Sequence, residues 1–329
     1  MTTFVPPTVL EPLRTDRTIA RDLVHRIALE EVFLTDFQNT GDGFAAAARL
    51  PRSHPYYCEH TAHPSAHDPI AVFECVRQML LCAMHLHHGV TADTKSVTAS
   101  CELEITDPRA LAVAEGGYEL TLLGRVVDAK EREGVAVRVV HEVDVLLGTT
   151  RIGRVRVDTA LKQPESYQRL RMRSRVTPPS LSVDLVAQEP VSRVAPYLVG
   201  RQQTANVLLI EPEINGSVLT ASLRVPVSHP GMFDHPHDHV PGPVLMEAAR
   251  QAGHLLQVEL FGLSPAKTTP VELRAAYERF TELDSEILIR ASFANQVGPG
   301  QPIYVHFRQD GDIVADMRLR MGSTVGHGT

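Results

Sequence analysis

Apolar positions along this chain fall into two spacings. Between Ile70 and His88 they recur every three or four residues (Val72, Cys75, Val76, Met79, Leu80, Ala83, Leu86), the period of a helix with a buried face. A second apolar helix is expected over 244–261. Elsewhere the period is two, clearest in Val137-Arg138-Val139 and Val155-Arg156-Val157, as in strands with one face covered. The expected strands of the first part are 31–36, then 96–105, 118–129, 135–147 and 151–161, with Gly41-Asp42-Gly43 as a turn and Phe44 to Leu50 continuing apolar. After a polar stretch from Lys162 to about Pro190, strands are expected at 206–210 and 218–225, and, beyond the second helix, at 271–280, 286–294, 301–308 and 313–321. Residues 1 to about 20 read as a loose lead-in.

Both parts therefore run strands, His-rich loop, long helix, four strands. The match reaches residue identity. R-x-P-x-S-H-P occurs at 49–55 and again 175 residues later at 224–230, and E-x-x-R-Q occurs at 74–78 and again 173 residues later at 247–251. A loop two residues shorter in the second copy reconciles the offsets, so the chain is an internal duplication. The copies are expected at 21–162 and 191–323, with 163–190 as linker. One long apolar helix amid five or six mostly antiparallel strands is an α+β unit with a sheet wrapped around its helix, a hotdog. Two fused copies make a double hotdog, in which each sheet covers the other's open edge.

Composition narrows the function classes. With 329 residues, 43% of them apolar, the chain fills two cores of ordinary size. A net charge of −7, no Trp and 5% aromatics offer neither a basic face nor a stacking surface, which argues against nucleic acid and against an anionic membrane. No run of about 20 apolar residues and no signal-peptide core is seen. Cys58, Cys75, Cys82 and Cys101 lack CxxC spacing, so reduced thiols in a cytoplasmic protein are expected.

The candidate chemistry concentrates at 233–251, FDHPHDHVPGPVLMEAARQ. Glu247 and Arg250, three apart on a helix, face each other. A neighbouring guanidinium keeps a carboxylate ionised, which suits a base, or the orienter of a histidine base, and not a proton donor. The alternative is a plain ion pair on the helix surface. The Gly242 and Val244 amides at the helix start are the candidate oxyanion donors. Arg250 and its counterpart Arg77 match phosphate oxygens, unless they only partner Glu247 and Glu74. Gln251, Asp238 and His239 complete the set of phosphate- or substrate-binding candidates. His54 and His229, the repeated S-H-P histidines, are each expected to face the helix of the opposite half. His54 would then serve Glu247, and His229 or His235 would serve Glu74 in a second centre; both S-H-P histidines also read as structural. His235, His237 and His239 with Asp234 and Asp238 are one residue short of the H-x-H-x-D-H metal spacing, so no metal and no cofactor is called for. The run Arg169, Arg171, Arg173, Arg175 either docks an acidic carrier protein or is a solvated linker.

The stretch 241–251 resembles the P-G-V-L-x-x-E-A-x-x-Q signature of hotdog β-hydroxyacyl-carrier-protein dehydratases, in which the Glu is catalytic with a His from the neighbouring loop. That resemblance places Glu247 and His235 in those roles. Asp238-His239-Val240-Pro241-Gly242 with Glu247-Ala248-Ala249-Arg250-Gln251, together with the duplicated S-H-P and R-Q segments, is similar to the A-factor synthase family of γ-butyrolactone signalling. Pro243 departs from that family's loop. The resemblance implies an acyltransferase that joins a β-ketoacyl group, from an acyl-carrier-protein thioester or acyl-CoA, to the hydroxyl of dihydroxyacetone phosphate. It serves the biosynthesis of γ-butyrolactone, butenolide or furan signals, and the chain acts as a monomeric pseudo-dimer or a homodimer. A dehydratase or thioesterase, and a carrier-protein- or lactone-binding module without turnover, are the competing readings.

Overall fold

The computed structural model describes residues 11–113, 118–173, 175–186, 194–294 and 296–324. The beginning of the expected lead-in, the end of the expected linker and the first three residues of the expected second copy lie outside the described residues. The first half builds β1 (Leu34–Thr40), β2 (Gly43–Arg49), α1 (Pro69–Leu86), β3 (Lys95–Ile105), β4 (Glu119–Arg132), β5 (Val135–Leu147) and β6 (Thr150–Lys162). A short helix, α2 (Pro164–Arg171), follows in the stretch expected to be bare linker. The second half repeats the plan with β7 (Leu209–Asn215), β8 (Val218–Leu223), α3 (Gly242–Phe261), β9 (Thr268–Tyr277), β10 (Leu288–Phe293), β11 (Ile303–Gln309) and β12 (Asp312–Ser323).

All these strands form one antiparallel sheet in the order β1-β2-β4-β5-β6-β3-β9-β12-β11-β10-β8-β7. Read inward from either end, the order is the same, so the duplication seen in the residues is a two-fold in space. The halves join where β3 pairs β9, with Leu103 opposite Leu273 and Cys101 opposite Ala275. This seam removes the open edge that each copy would carry alone.

Each helix starts where its sequence dictates. Asp68 caps α1 by accepting the Ile70 amide at 2.8 Å, and Pro69 occupies the first turn, where it lacks no needed donor. Pro243 does the same in α3, which ends at Gly262 in the left-handed region (φ 64°). Of α1, 83% is buried; it is long and apolar enough to span a bilayer, but its apolar length is consumed by the core. The buried side chains of both halves, including α1 and α3, form one continuous cluster.

The same departure from the expected strands occurs in both copies. The strand expected at 31–36 begins only at Leu34, after a 3-10 turn at Leu29–Glu31; that expected at 206–210 begins at Leu209, after a 3-10 turn at Thr204–Asn206. Glu31 and Asn206 are equivalent residues, and tertiary bonds pull each out of the ladder. Glu31 binds the His54 ring at 3.0 Å, and Asn206 donates to the Pro55 carbonyl at 2.9 Å.

Leu273 has no exposed surface at the seam. Leu273→Ala is expected to cost about 2–5 kcal/mol, measured as a shift of one cooperative denaturant transition. Two separate transitions would mean that the halves do not share a core.

Candidate active site

The organising feature is a buried carboxylate on each central helix, built the same way twice. In the first half, Glu74 accepts from Arg26 at 2.5 Å, from Arg77 at 2.7 and 3.0 Å, and from Gln78 at 2.9 Å. In the second half, Glu247 accepts from Arg201 at 2.8 Å, from Gln251 and from Arg250. Arg26 and Arg201 are 175 residues apart and thus equivalent, although neither carries a motif. Gln78 and Gln251 each tie their helix to the strand before it: one binds the Phe33 amide and Glu31 carbonyl, the other the Leu208 amide and Asn206 carbonyl. Burial alone would raise the Glu74 pKa, but Arg26 and Arg77 overcome it and hold the group down to about 2. Burial likewise works against Glu247, and Arg201 and Arg250 keep it below the ordinary carboxylate range. Both are permanently ionised at neutral pH.

The loops cross over. The His-rich loop of each half reaches the helix of the other, and Glu59 and Asp234 mirror one another in fixing it. Asp234 accepts the Ile27 and Ala28 amides at 2.8 and 3.0 Å, and Glu59 accepts the amides of Gln202 and Gln203. One difference then breaks the symmetry. After S-H-P the first copy has Tyr56 and the second has Gly231. The Tyr56 hydroxyl donates to Glu247 at 3.1 Å, and its ring lies 4.5 Å from the Arg201 guanidinium. Gly231 itself offers no side chain at the equivalent place over Glu74, and none fits there: a Cβ on Gly231 would meet His54 at 2.8 Å and the Tyr56 Cβ at 3.2 Å.

Space follows this difference. A cavity of about 1300 Å³ is lined by Glu74, Arg77, Arg26, Gly231, His235 and Gly242, among others. The equivalent cleft in the other half holds about 30 Å³, and Arg250 lines it while Glu247 does not. Glu247, expected as the principal centre, is completely buried beneath Tyr56. Arg250, expected as a phosphate clamp, is bound to Asp68 at 2.6 Å as well as to Glu247, and Gln251 has both amide ends engaged. The centre expected to be secondary, Glu74 with Arg77, is the one that lines the large cavity.

The other expected residues sort by their bonds. His54 does not reach Glu247: its Nε2 faces Glu31, and its Nδ1 accepts the Tyr56 and Tyr57 amides at 3.1 Å, so neither nitrogen is available. His229 accepts the Gly231 amide at 3.2 Å and packs edge-on against Tyr56; burial and Arg224 lower its pKa to about 4, and it makes no bond to Glu74. His235 does lie on the Glu74 cavity, with Nδ1 3.4 Å from Asp234 Oδ2. The Val244 amide is bonded to the Pro241 carbonyl at 3.0 Å, which removes it as an oxyanion donor. The Gly242 amide stands at the cavity wall without a partner among the described residues, in a position where a Cβ would strike the Tyr277 hydroxyl at 2.7 Å. It lies on the same cavity as Glu74, which Glu247 does not line, because α3 starts beside the opposite half's helix.

Asp238, expected among the substrate-binding residues, does not line the cavity and is turned to the linker. It accepts from the Tyr167 hydroxyl at 2.8 and 2.9 Å, from Arg171 at 3.1 Å and from His239 at 2.6 Å. The linker therefore braces the His-rich loop. Arg171 is buried, stacks 4.2 Å from the Phe280 ring and also binds Glu282 at 2.8 Å, while Ser182 exchanges two hydrogen bonds with the backbone of His237. Arg175 pairs with Asp284 at 2.7 Å, and Arg169 donates to Ser166. Of the expected basic run, Arg173 alone both lines the cavity and makes no ion pair among the described residues. No group of three or more His, Cys, Asp or Glu among the described residues is arranged to hold a metal.

A duplicated helix-in-sheet unit with one open cleft at the crossing of its loops defines a fused double hotdog. Two solved structures share this fold at low identity. The dehydratase domain from the CurF module of curacin polyketide synthase is 14% identical, with 93% of this chain and 99% of that one covered and a TM-score of 0.50. The 12:0-ACP thioesterase from Umbellularia californica is 10% identical, with 87% and 99% covered and a TM-score of 0.50. The A-factor biosynthesis hotdog domain matches residues 10–161 and 184–324, and the chain belongs to that family. Relatives named 2-oxo-3-(phosphooxy)propyl 3-oxoalkanoate synthase agree in length: that of Streptomyces virginiae is 32% identical over 278 residues (83% of this chain, 87% of the relative), and that of Streptomyces griseus 31% over 304 (89% and 92%).

The asymmetry has a measurable consequence. Removing one partner of a buried ion pair costs about 3–5 kcal/mol when the orphaned charge stays dry. Glu247→Ala is expected to cost that much, and Glu74→Ala distinctly less because water in the cavity reaches Arg77. Equal losses of denaturation midpoint in the two variants would contradict the assignment.

Proposed function

We propose that the chain is an acyltransferase that moves a 3-oxoacyl group from a carrier-protein or coenzyme A thioester to the hydroxyl of dihydroxyacetone phosphate. The supporting observation is the open cavity, whose wall brings together a fixed anion, guanidinium groups, an imidazole and a free helix-start amide. In this reading the hydroxyl oxygen attacks the thioester carbonyl, a C–O bond forms, the C–S bond breaks and a thiol leaves. The Gly242 amide faces the developing oxyanion, where the positive end of α3 adds to its field. His235 takes the hydroxyl proton and passes it to the departing sulfur: Asp234 orients its Nδ1, so Nε2 presents the lone pair. Glu74 is saturated with donors and held at a low pKa, so it neither protonates a leaving group nor accepts a proton readily. Its part is to hold Arg77 and Arg26 in place.

That last point separates this reading from a dehydratase, which needs a carboxylic acid to protonate the departing hydroxyl. Hotdog thioesterases share the architecture and the need for an oxyanion donor, so the product separates the two: ester for a transferase, free acid for a thioesterase.

His235→Asn is expected to keep the fold and lower kcat by roughly 10²–10⁴, measured by mass spectrometry of ester formed from a 3-oxoacyl thioester and dihydroxyacetone phosphate. Full turnover by that variant, or release of free acid in place of ester by the unaltered protein, would overturn the reading.

A further inference from the structure

We propose that the arm of the cavity between α1 and the start of β3 is a subsite for a phosphomonoester dianion, walled by Arg77, Lys95 and His25. The proposal rests on the acyl-transfer reading and states where its phosphorylated acceptor is held.

All three side chains lie on the same cavity. Arg77 commits Nε and Nη2 to Glu74, and its side chain is 30% exposed. Lys95, the first residue of β3, makes no ion pair among the described residues. Its cross-strand partner is Lys162, a like charge directly opposite, which is unfavourable in an empty site. Lys95 is thus an uncompensated cation in a chain whose net charge is −7.

His25 is held in the left-handed region (φ 53°), uncommon for a residue with a side chain. Its hydrogen bonds fix its tautomer. His85 Nδ1 lies 2.9 Å from the Val90 carbonyl and must carry the proton there. His85 Nε2 is then an acceptor, and His25 Nε2 donates to it at 2.8 Å. The remaining nitrogen, His25 Nδ1, has a lone pair and no partner among the described residues. Burial, then His85 and Arg77 from α1, His235 from the opposite loop and Lys95 from β3, lower the His25 pKa to about 4, so the imidazole is neutral in the empty cavity. A dianion beside it opposes the Arg77 and Lys95 charges, and Nδ1 takes up a proton while Nε2–H remains on His85. Guanidinium, ammonium and imidazolium then each face a phosphate oxygen.

The duplication supplies an internal control. The residues equivalent to His25 and Lys95 are Gly200 and Thr268, and the counterpart of Arg77 is Arg250, locked by Asp68. The counterpart of Asp68 beside Arg77 is Pro241, which brings no carboxylate. Gly200, Thr268 and Arg250 line the collapsed cleft. The three basic groups occur together only in the half that is open.

Calorimetry of inorganic phosphate binding to the full chain, in buffers of different ionisation enthalpy, tests this directly. Proton uptake on binding is expected at about pH 8, where inorganic phosphate is already almost wholly the dianion and releases little proton of its own. Lys95→Met should weaken binding on the order of tenfold or more, and His25→Gly, which copies the second half and suits the backbone, should remove the buffer dependence. In turnover, Lys95→Met should raise KM for dihydroxyacetone phosphate on the order of tenfold and far more than that for the thioester. Phosphate binding indifferent to both substitutions, or a rise in the thioester KM instead, would overturn the subsite. Absence of any ester product from the unaltered protein would count against the acyl-transfer reading alone, since the phosphate titration is independent of turnover.

Discussion

A carboxylate without contact with bulk water, gripped by two guanidinium groups and one side-chain amide, is the interaction around which each half is built. Taking such a charge out of water is costly unless every lone pair finds a donor. Satisfying it obliges an arginine from the turn before the first strand, a second arginine one helical turn along and a glutamine beyond it to converge on one point. That convergence fixes the helix against its sheet and draws Glu31 and Asn206 out of strand geometry. Glu74 and Glu247 are therefore structural first, and any part in chemistry is added to that role.

Duplication gave two such clusters, and the chain uses the freedom to let them diverge. Around Glu247 every gap is closed: Tyr56 covers the carboxylate and Asp68 neutralises Arg250. Around Glu74, Gly231 and Pro241 stand where those closing groups would be, so the same scaffold leaves a cavity with spare positive charge. Tyr56 and Gly231 are also neighbours across the pseudo-two-fold, and the space at that crossing admits one large side chain and not two. Opening one centre and sealing the other are thus a single packing decision. The connecting segment reinforces it, since Tyr167 and Arg171 brace only the loop that faces the open side.

Much of this was legible in the residues. The repeated R-x-P-x-S-H-P and E-x-x-R-Q segments revealed the duplication, the two helices and the paired carboxylates. Period and spacing located eleven strands to within a few residues, except where Glu31 and Asn206 obey tertiary bonds, while β2 showed only as an apolar continuation after the Gly41-Asp42-Gly43 turn. Which half holds the cavity was not legible, because the conspicuous histidine loop and Glu247 are adjacent in sequence, while in space each loop reaches the other half's helix. Arg26 and Arg201 were missed since their partners lie 48 and 46 residues away and no local motif marks them. The signals existed: extending the 175-residue offset aligns Arg26 with Arg201, Glu59 with Asp234 and Tyr56 with Gly231. What it does not reveal is depth, and only packing shows that Tyr56 reaches Glu247.

The central claim is that one of two equivalent centres is open and that substrate enters there. Crystallography of the chain with a non-hydrolysable 3-oxoacyl thioether analogue tests it most directly. The account predicts density along α1 between Glu74 and the Gly242 amide, with the Tyr56–Glu247 contact undisturbed. An analogue lying against Glu247, with Tyr56 displaced, would contradict it.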